Sequence, residues 1–221
     1  MSVAHLFECD LRRWSRYPAA MNATTPAALP YTGDHEADAL LATDPMALLI
    51  GFVLDQQVSV QKAFSGPLEL RRRTGTLDAA ELAAMDASDL EAAFRERPAL
   101  HRFPGNMAKR TQALCAAGAE TYGDDPAAIW NEAADGPDLE KRLLALPGIG
   151  EMKAKALLSI LHQRFGLELE DLEAVLPQYP TLGDVDSAEA LAEYQEKKRA
   201  YKARLKAEGG SFDPKGRAGK A

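Results

Sequence analysis

Cysteine and histidine are both scarce. Cys9 and Cys115 are the two thiols in 221 residues. A disulfide framework needs more pairs and a four-cysteine iron–sulfur cluster needs more ligands, so both are excluded. His5, His35, His101 and His162 are scattered without metal-ligand spacing, and no metal site is expected. No apolar run approaches the roughly 20 residues that a bilayer-spanning helix needs. The opening MSVAHLFECDLRRWSRY also lacks the apolar centre of a secretory signal. The expected location is therefore cytoplasmic, with no membrane partner. Strand-like alternation and internal repeats are missing as well.

Positive charge is in deficit. The chain has 26 Lys and Arg against 33 Asp and Glu, a net −7, whereas a nucleic-acid binder is usually basic. The deficit is uneven. From Lys197 to Ala221 nine basic residues stand against two acidic ones, a local balance of +7 that leaves −14 for the rest. A local basic stripe can hold a phosphate backbone while an acidic surface elsewhere keeps the protein soluble.

What is present is helical periodicity, with a hydrophobic share of 46% that suffices for a packed core. Residues 1–20 read as an N-terminal extension with a short amphipathic helix around Leu6, Leu11 and Trp14, and Met21 is as eligible a start as Met1. Thr24 to Asp34 reads as a loop. Asp34 is placed to cap a helix over Glu36 to Ala42, and Asp44-Pro45 to open the next. PMALLIGFVL, residues 45–54, is apolar all round and should be the buried central helix. Asp55-Gln56-Gln57-Val58-Ser59 then separates it from a helix closed by Arg71-Arg72-Arg73. Cations suit a helix C-terminus, so that triplet reads as structural at least as readily as a DNA contact. Short helices follow at Leu77–Met85 and Ser88–Phe94. RFPGNMAKR opens a long one that reaches Tyr122, with Cys115 on its buried face, and Asp125-Pro126 leads a further one to Trp130. After an acidic segment from Glu168 to Leu176 and a loop over Pro177 to Gly183, Asp186 or Ser187 caps a last, basic helix ending near Ala207. GGSFDPKGRAGKA is a basic tail.

The most informative stretch is Leu146-Pro147-Gly148-Ile149-Gly150-Glu151-Met152-Lys153-Ala154. Leu139, Leu143, Leu144 and Leu146 precede it on one helix. Ala154, Leu157, Leu158, Ile160, Leu161 and Phe165 follow on another. Pro147 ends the first helix, and Gly148 and Gly150 permit the positive φ that a tight reversal demands. Ile149 is expected to turn inward and lock the pair. Such a turn gathers backbone N–H groups at a helix start, where a phosphate fits without any base being read.

This string, with its apolar flanks, resembles the hairpin of the helix-hairpin-helix–GPD base-excision DNA glycosylases, the superfamily of endonuclease III and the 3-methyladenine glycosylases. LLIGFVLDQQVSVQKAF gives a second match, to the segment that carries a glutamine loop between two helices. The resemblance implies an all-α, two-lobed fold. Residues 37–165 would form a six-helix lobe ending in the hairpin, residues 21–36 and 166–207 the terminal lobe, and residues 208–221 the tail. It also implies double-stranded DNA and a damaged base as partners, a monomer, and a cytoplasmic, nucleoid-associated enzyme without an iron–sulfur cluster or other cofactor. A monovalent cation at the hairpin is compatible with it. Implied DNA contacts are Gly148, Gly150 and Lys153 at a phosphate, Gln57 with Gln56 and Asp55 beside it at the gap left by an extruded nucleotide, and Asn106 in the turn before the long helix. Phe103, Asn106 and Met107 are wedge candidates there, with core packing the expected alternative for Phe103.

A glycosylase must extrude a base and cleave its N-glycosidic bond through a cationic, oxocarbenium-like transition state, which a carboxylate stabilises. The family spacing lands on Glu170, Asp171 and Leu172, so Asp171 is the preferred catalytic residue. Asp184 is the alternative if the intervening loop is longer. The nucleophilic lysine of lyase members would fall at Met152, which implies a monofunctional enzyme. A non-catalytic helix-hairpin-helix DNA-binding protein is the competing expectation, and a helical protein-interaction domain a third.

Overall fold

A computed structural model describes residues 25–123 and 125–207. Expectations for residues 1–20 and for the tail 208–221 lie outside the described residues. Among the described residues the chain is all-α, with no strand. Its helices are α1 (His35–Thr43), α2 (Pro45–Leu54), α3 (Val60–Thr74), α4 (Ala79–Ala84), α5 (Ala87–Arg95) and α6 (Pro104–Tyr122). They continue as α7 (Ala128–Asn131), α8 (Gly136–Ala145), α9 (Glu151–Gln163), α10 (Leu172–Val175) and α11 (Ala188–Ala207), with a tight helical turn at Leu182–Asp184. The stretch expected as a six-helix lobe thus holds α1 to α9, of which α4 and α7 are the shortest. None of these helices is long and apolar enough to cross a membrane.

Short polar residues set the helix starts. Asp34 Oδ1 accepts from the N–H groups of Glu36 and Ala37 at 2.8 and 3.3 Å. Asp44 does the same for Met46 and Ala47 at 2.8 and 3.2 Å, with Pro45 in the first turn. Ser59, Asp78, Asp86, Asp135 and Ser187 cap α3, α4, α5, α8 and α11 in the same manner. Each such cap is worth about 1 kcal/mol.

α2 is the axis of the packing. Every residue from Met46 to Leu54 is buried, so the helix has no wet face and its neighbours must surround it. Close approach to α3 is bought with glycine: a Cβ on Gly51 would sit 2.6 Å from the Phe64 ring, and one on Gly66 would overlap Leu54. Phe64 packs edge-on against Phe52 and Tyr31, with ring centroids 5.2 and 5.4 Å away.

The two lobes implied by the resemblance share one core, because a single cluster of buried side chains runs from Leu29 to Leu191. Early and late segments of the described chain touch. Buried Tyr31 donates its hydroxyl to the Leu182 carbonyl at 2.8 Å, and the Gln195 amide donates to Gln61 Oε1 at 3.0 Å.

The arginine triplet is structural in the way the helix terminus suggested. Arg71 and Arg72 pair with Glu36 at 3.5 and 2.6 Å. The Arg73 side chain, only 4% exposed, pairs with Glu69 and donates to the carbonyls of Ala93, Glu96 and Pro98 at 2.7–2.9 Å. It fixes the loop after α5 from below. Replacing Arg73 with Met should cost about 2 kcal/mol, since a nearly buried guanidinium that ties three loop carbonyls and Glu69 is lost. Arg72→Met, at an exposed pair, should cost about 0.5 kcal/mol or less. Urea unfolding of the two variants checks the contrast.

Candidate functional site

The hairpin forms as its sequence dictates. Leu146 ends α8, the Ile149 N–H donates to the Leu146 carbonyl at 3.1 Å, and Ile149 is buried between the helices. Leu139 and Leu143 face α9 from within the core. Leu144 is instead 39% exposed, because it lies about 100° from Leu143 around the helix and off the stripe. Lys155 pairs with Glu140 at 2.8 Å and clamps the two helices from outside.

The two turn glycines have different reasons to be there. Gly148 has φ +86°, where an L side chain is strained, and a Cβ would press on Val53 of α2 at 3.3 Å. Gly150 does not take the expected positive φ. It has φ −96° and ψ 178°, the ordinary geometry of a residue preceding a helix, and a Cβ there would meet nothing within 4 Å. Fold geometry therefore leaves Gly150 free to be another residue, and its bare backbone stands at the surface.

Most helix starts are closed by side chains, but α9 begins on Gly150 without one, as the four-residue α7 and α10 also do on Ala127 and Asp171. α6 begins on Phe103, again with no side-chain cap. Among the described helices of nine or more residues, these are the two left without a side-chain cap. The first N–H groups of a helix have no carbonyl within it to reach, and they carry the positive end of its dipole.

Three loops converge on one face. Gln56 lines an open concavity of about 480 Å³ together with Gly148, Gly150, Glu151, Met152 and Lys153. The glutamine loop and the hairpin, read separately along the chain, are thus neighbours. It is Gln56 that lines this surface, while Gln57 is exposed beside it in a left-handed conformation, φ +55°. For a residue other than glycine that conformation costs on the order of 1–2 kcal/mol. Strain of this kind collects where a loop has a task besides packing.

The turn before α6 is the third loop. His101, 1% exposed, donates from Nε2 to the Gln56 carbonyl at 2.8 Å and accepts the Phe103 N–H on Nδ1 at 3.0 Å. Phe103 is not packed in the core. It is 44% exposed, with the Arg102 guanidinium 4.8 Å from its ring centre. Met107, the other apolar wedge candidate, is 1% exposed and belongs to the core. Pro104 opens the helix about one turn before its buried stripe begins at Met107 and Ala108. Asn106 is exposed.

Lys153 ties the hairpin to itself. Its ammonium donates to the Gly148 carbonyl at 3.1 Å. Burial holds that ammonium below the usual lysine range; the Asp55 carboxylate works against the shift and the Arg110 cation adds to it. Asp55 at the end of α2 and Arg110 on α6 are therefore both within electrostatic reach. Met152, where the resemblance would put a lyase lysine, has a thioether that accepts from the Tyr179 hydroxyl at 3.6 Å and cannot act as an amine.

The expected carboxylates lie elsewhere. Asp171 is exposed at φ +54°, and its backbone packs on Gly136 at the start of α8. The hairpin turn is at the other end of that ten-residue helix, about 15 Å away. Asp184 is also exposed. Its oxygens accept from the Thr181 N–H at 2.6 Å and the Gln163 amide at 3.1 Å, beyond the far end of thirteen-residue α9, about 18 Å from the turn. Neither is buried. The carboxylates near the concavity are Glu151 and Asp55. Glu151, His101 and Tyr179 were not singled out from the sequence: a helix-start acid, an isolated histidine and a loop tyrosine carry no signal until the fold brings them to one face. Among the described residues no group of three or more His, Cys, Asp or Glu side chains is arranged to hold a metal ion.

No family model, curated protein or solved structure matches the chain. The glycine geometry gives a direct check. Gly148→Ala should destabilise by about 1–2 kcal/mol, the cost of a left-handed L residue. Gly150→Thr should shift stability by no more than about 0.5 kcal/mol, because threonine and glycine are comparable before a helix. Thermal melting of both variants tests the assignment.

Proposed function

We propose that this chain binds duplex DNA through the hairpin and acts as a monofunctional base-excision glycosylase, hydrolysing the N-glycosidic bond of a damaged base extruded from the duplex. The finer fold assignment, two helical lobes of the helix-hairpin-helix–GPD kind, belongs to the same proposal. One observation carries it: the hairpin turn and Gln56 line the same concavity. A hairpin alone would serve any phosphate contact, whereas a glutamine loop beside it suits a protein that fills the space left by a missing nucleotide.

The groups divide the work by chemistry. Gly148, Gly150 and Lys153 receive a backbone phosphate, with the dipole of α9 behind them. Gln56 and Gln57 enter the gap, and Phe103 offers a flat apolar ring for a base to stack on, a contact worth roughly 1–3 kcal/mol per base. Asn106 and Arg110 lie on the first turns of α6 for the flanking strand. A carboxylate, Asp171 or Asp184 by resemblance, stabilises the sugar cation and orients the water. No amine is offered at Met152, so no Schiff base forms.

The exposed placement of Asp171 and Asp184 favours a second reading, a DNA-binding protein that keeps the recognition face without the chemistry. Two experiments separate the possibilities. DNA affinity should fall with salt by a slope near −0.9 per phosphate contact in a log–log plot. Gly150→Thr should weaken binding to every duplex alike, by tenfold or more, without a change in melting temperature. Binding unaltered by that substitution would remove the hairpin from the interface. Duplexes carrying uracil, alkylated purines, hypoxanthine, 8-oxoguanine or mismatches then test for excision. Loss of turnover with DNA binding retained in Asp171→Asn or Asp184→Asn, but not in both, identifies the catalytic group. Parallel Asp55→Asn and Glu151→Gln variants test the nearer acids. Excision that persists in all four excludes them, and a parent that binds but excises nothing establishes the second reading. A borohydride-trapped adduct that disappears in Lys153→Met would overturn the monofunctional assignment.

A further inference from the structure

We infer that His101 is a positioning residue that makes the glutamine loop and the Phe103 turn one rigid unit, resting on the DNA reading above for what that unit does. His101 is 1% exposed, and both of its ring nitrogens are committed. Nδ1 accepts the Phe103 N–H at 3.0 Å, so the ring proton is on Nε2, which donates to the Gln56 carbonyl at 2.8 Å. The two bonds reach backbone atoms on loops 45 residues apart in the chain. Each loop then presents side chains to the surface: Gln56 and Gln57 on one, Arg102 and Phe103 on the other. A buried ring thus holds two backbones whose exposed residues are the proposed contacts.

The surroundings are built to the same end. The Phe103 ring lies 5.9 Å from the His101 ring and under the Arg102 guanidinium, so an exposed aromatic is held on two sides. Upstream, the Leu100 N–H donates to the Phe94 carbonyl at 3.1 Å, and Arg73 holds the carbonyls of Glu96 and Pro98. On the other loop, Gln57 is kept at φ +55° immediately after the carbonyl that His101 grips. One base step is about 3.4 Å. Two loops that enter the same gap must keep their spacing to a fraction of that distance, which separate mobile loops would not do.

Two variants divide the bonds. In His101→Asn the side-chain oxygen can take the place of Nδ1 and keep the Phe103 N–H, but nothing reaches Gln56. In His101→Gln the amide nitrogen can take the place of Nε2 and keep the Gln56 carbonyl, while the Phe103 N–H loses its acceptor. The probes are a duplex with a single tetrahydrofuran abasic analogue and the matching intact duplex. The parent should prefer the abasic duplex, and each variant should lose about tenfold of that preference, as His101→Ala does, with intact-duplex affinity within twofold of the parent. Amide hydrogen exchange of the free proteins reads the coupling without DNA: residues 55–59 should exchange faster in His101→Asn, and residues 102–106 faster in His101→Gln. A variant that keeps the full preference would show that its remaining bond suffices, and would overturn the coupling. So would exchange rates in residues 55–59 that no variant changes. Equal loss of affinity for both duplexes, in step with a lowered melting temperature, would reduce His101 to a structural role. If the parent binds neither duplex, the DNA reading fails while the exchange data still decide the coupling.

Discussion

One buried helix, α2, sets the place of the elements around the candidate site. α2 has no solvent-facing side, so α1, α3, α6 and the hairpin are all fixed by having to cover it. Its packing is close because glycine is used where backbones approach, Gly51 and Gly66 towards α3 and Gly148 towards Val53. Those contacts also set the candidate site. The last residues of α2 run straight into Gln56 and Gln57, and Val53 is the floor on which the hairpin turn rests. The glutamine loop and the hairpin turn keep their relative place because both are anchored to the same few residues of α2.

Among the described helices of nine or more residues, capping separates the other helix starts from the two at the candidate site. Most helices begin on an Asp or Ser whose side chain satisfies the first N–H groups, while α6 and α9 leave theirs to the outside. A cap and an anion compete for the same donors, so a helix meant to receive a phosphate does without the former. The acidic balance of the chain is less of an obstacle than its total suggests. Several Asp residues are used up as caps, and Lys153, Arg110 and Arg102 are gathered at the site. Lys153 is there at a cost in hydration, which a phosphate would offset.

Chemistry is where the face is least complete. Stabilising a sugar cation calls for a carboxylate held close and dry. Asp171 and Asp184 are wet, and Asp184 is already committed to a cap. Glu151 and Asp55 are closer, but one stands at the mouth of a helix and the other faces Lys153. Binding and catalysis are therefore separable questions for this protein, and the recognition half has the stronger physical basis.

The sequence by itself determined most of the helices, several of their starts and the hairpin. These depend on local rules: Asp and Ser before apolar runs, a helix-long apolar decamer at residues 45–54, and Leu-Pro-Gly-Ile-Gly between two stripes. It also marked Cys115 and Ile149 as buried, and left Arg71 to Arg73 open between a structural role and a DNA contact. Where it misled, the deciding contact was remote. Whether Phe103 or Met107 faces solvent depends on how Pro104 turns α6 against α2. Gly150 needs no positive φ because Gly148 alone makes the reversal. Asp171, reached by counting, lies at the end of α8 away from the hairpin turn, since a residue count cannot say which way the chain runs after Phe165. Only the tertiary structure could bring Gln56, His101 and Phe103 together, because a hydrogen bond across 45 residues leaves no periodic trace in the chain.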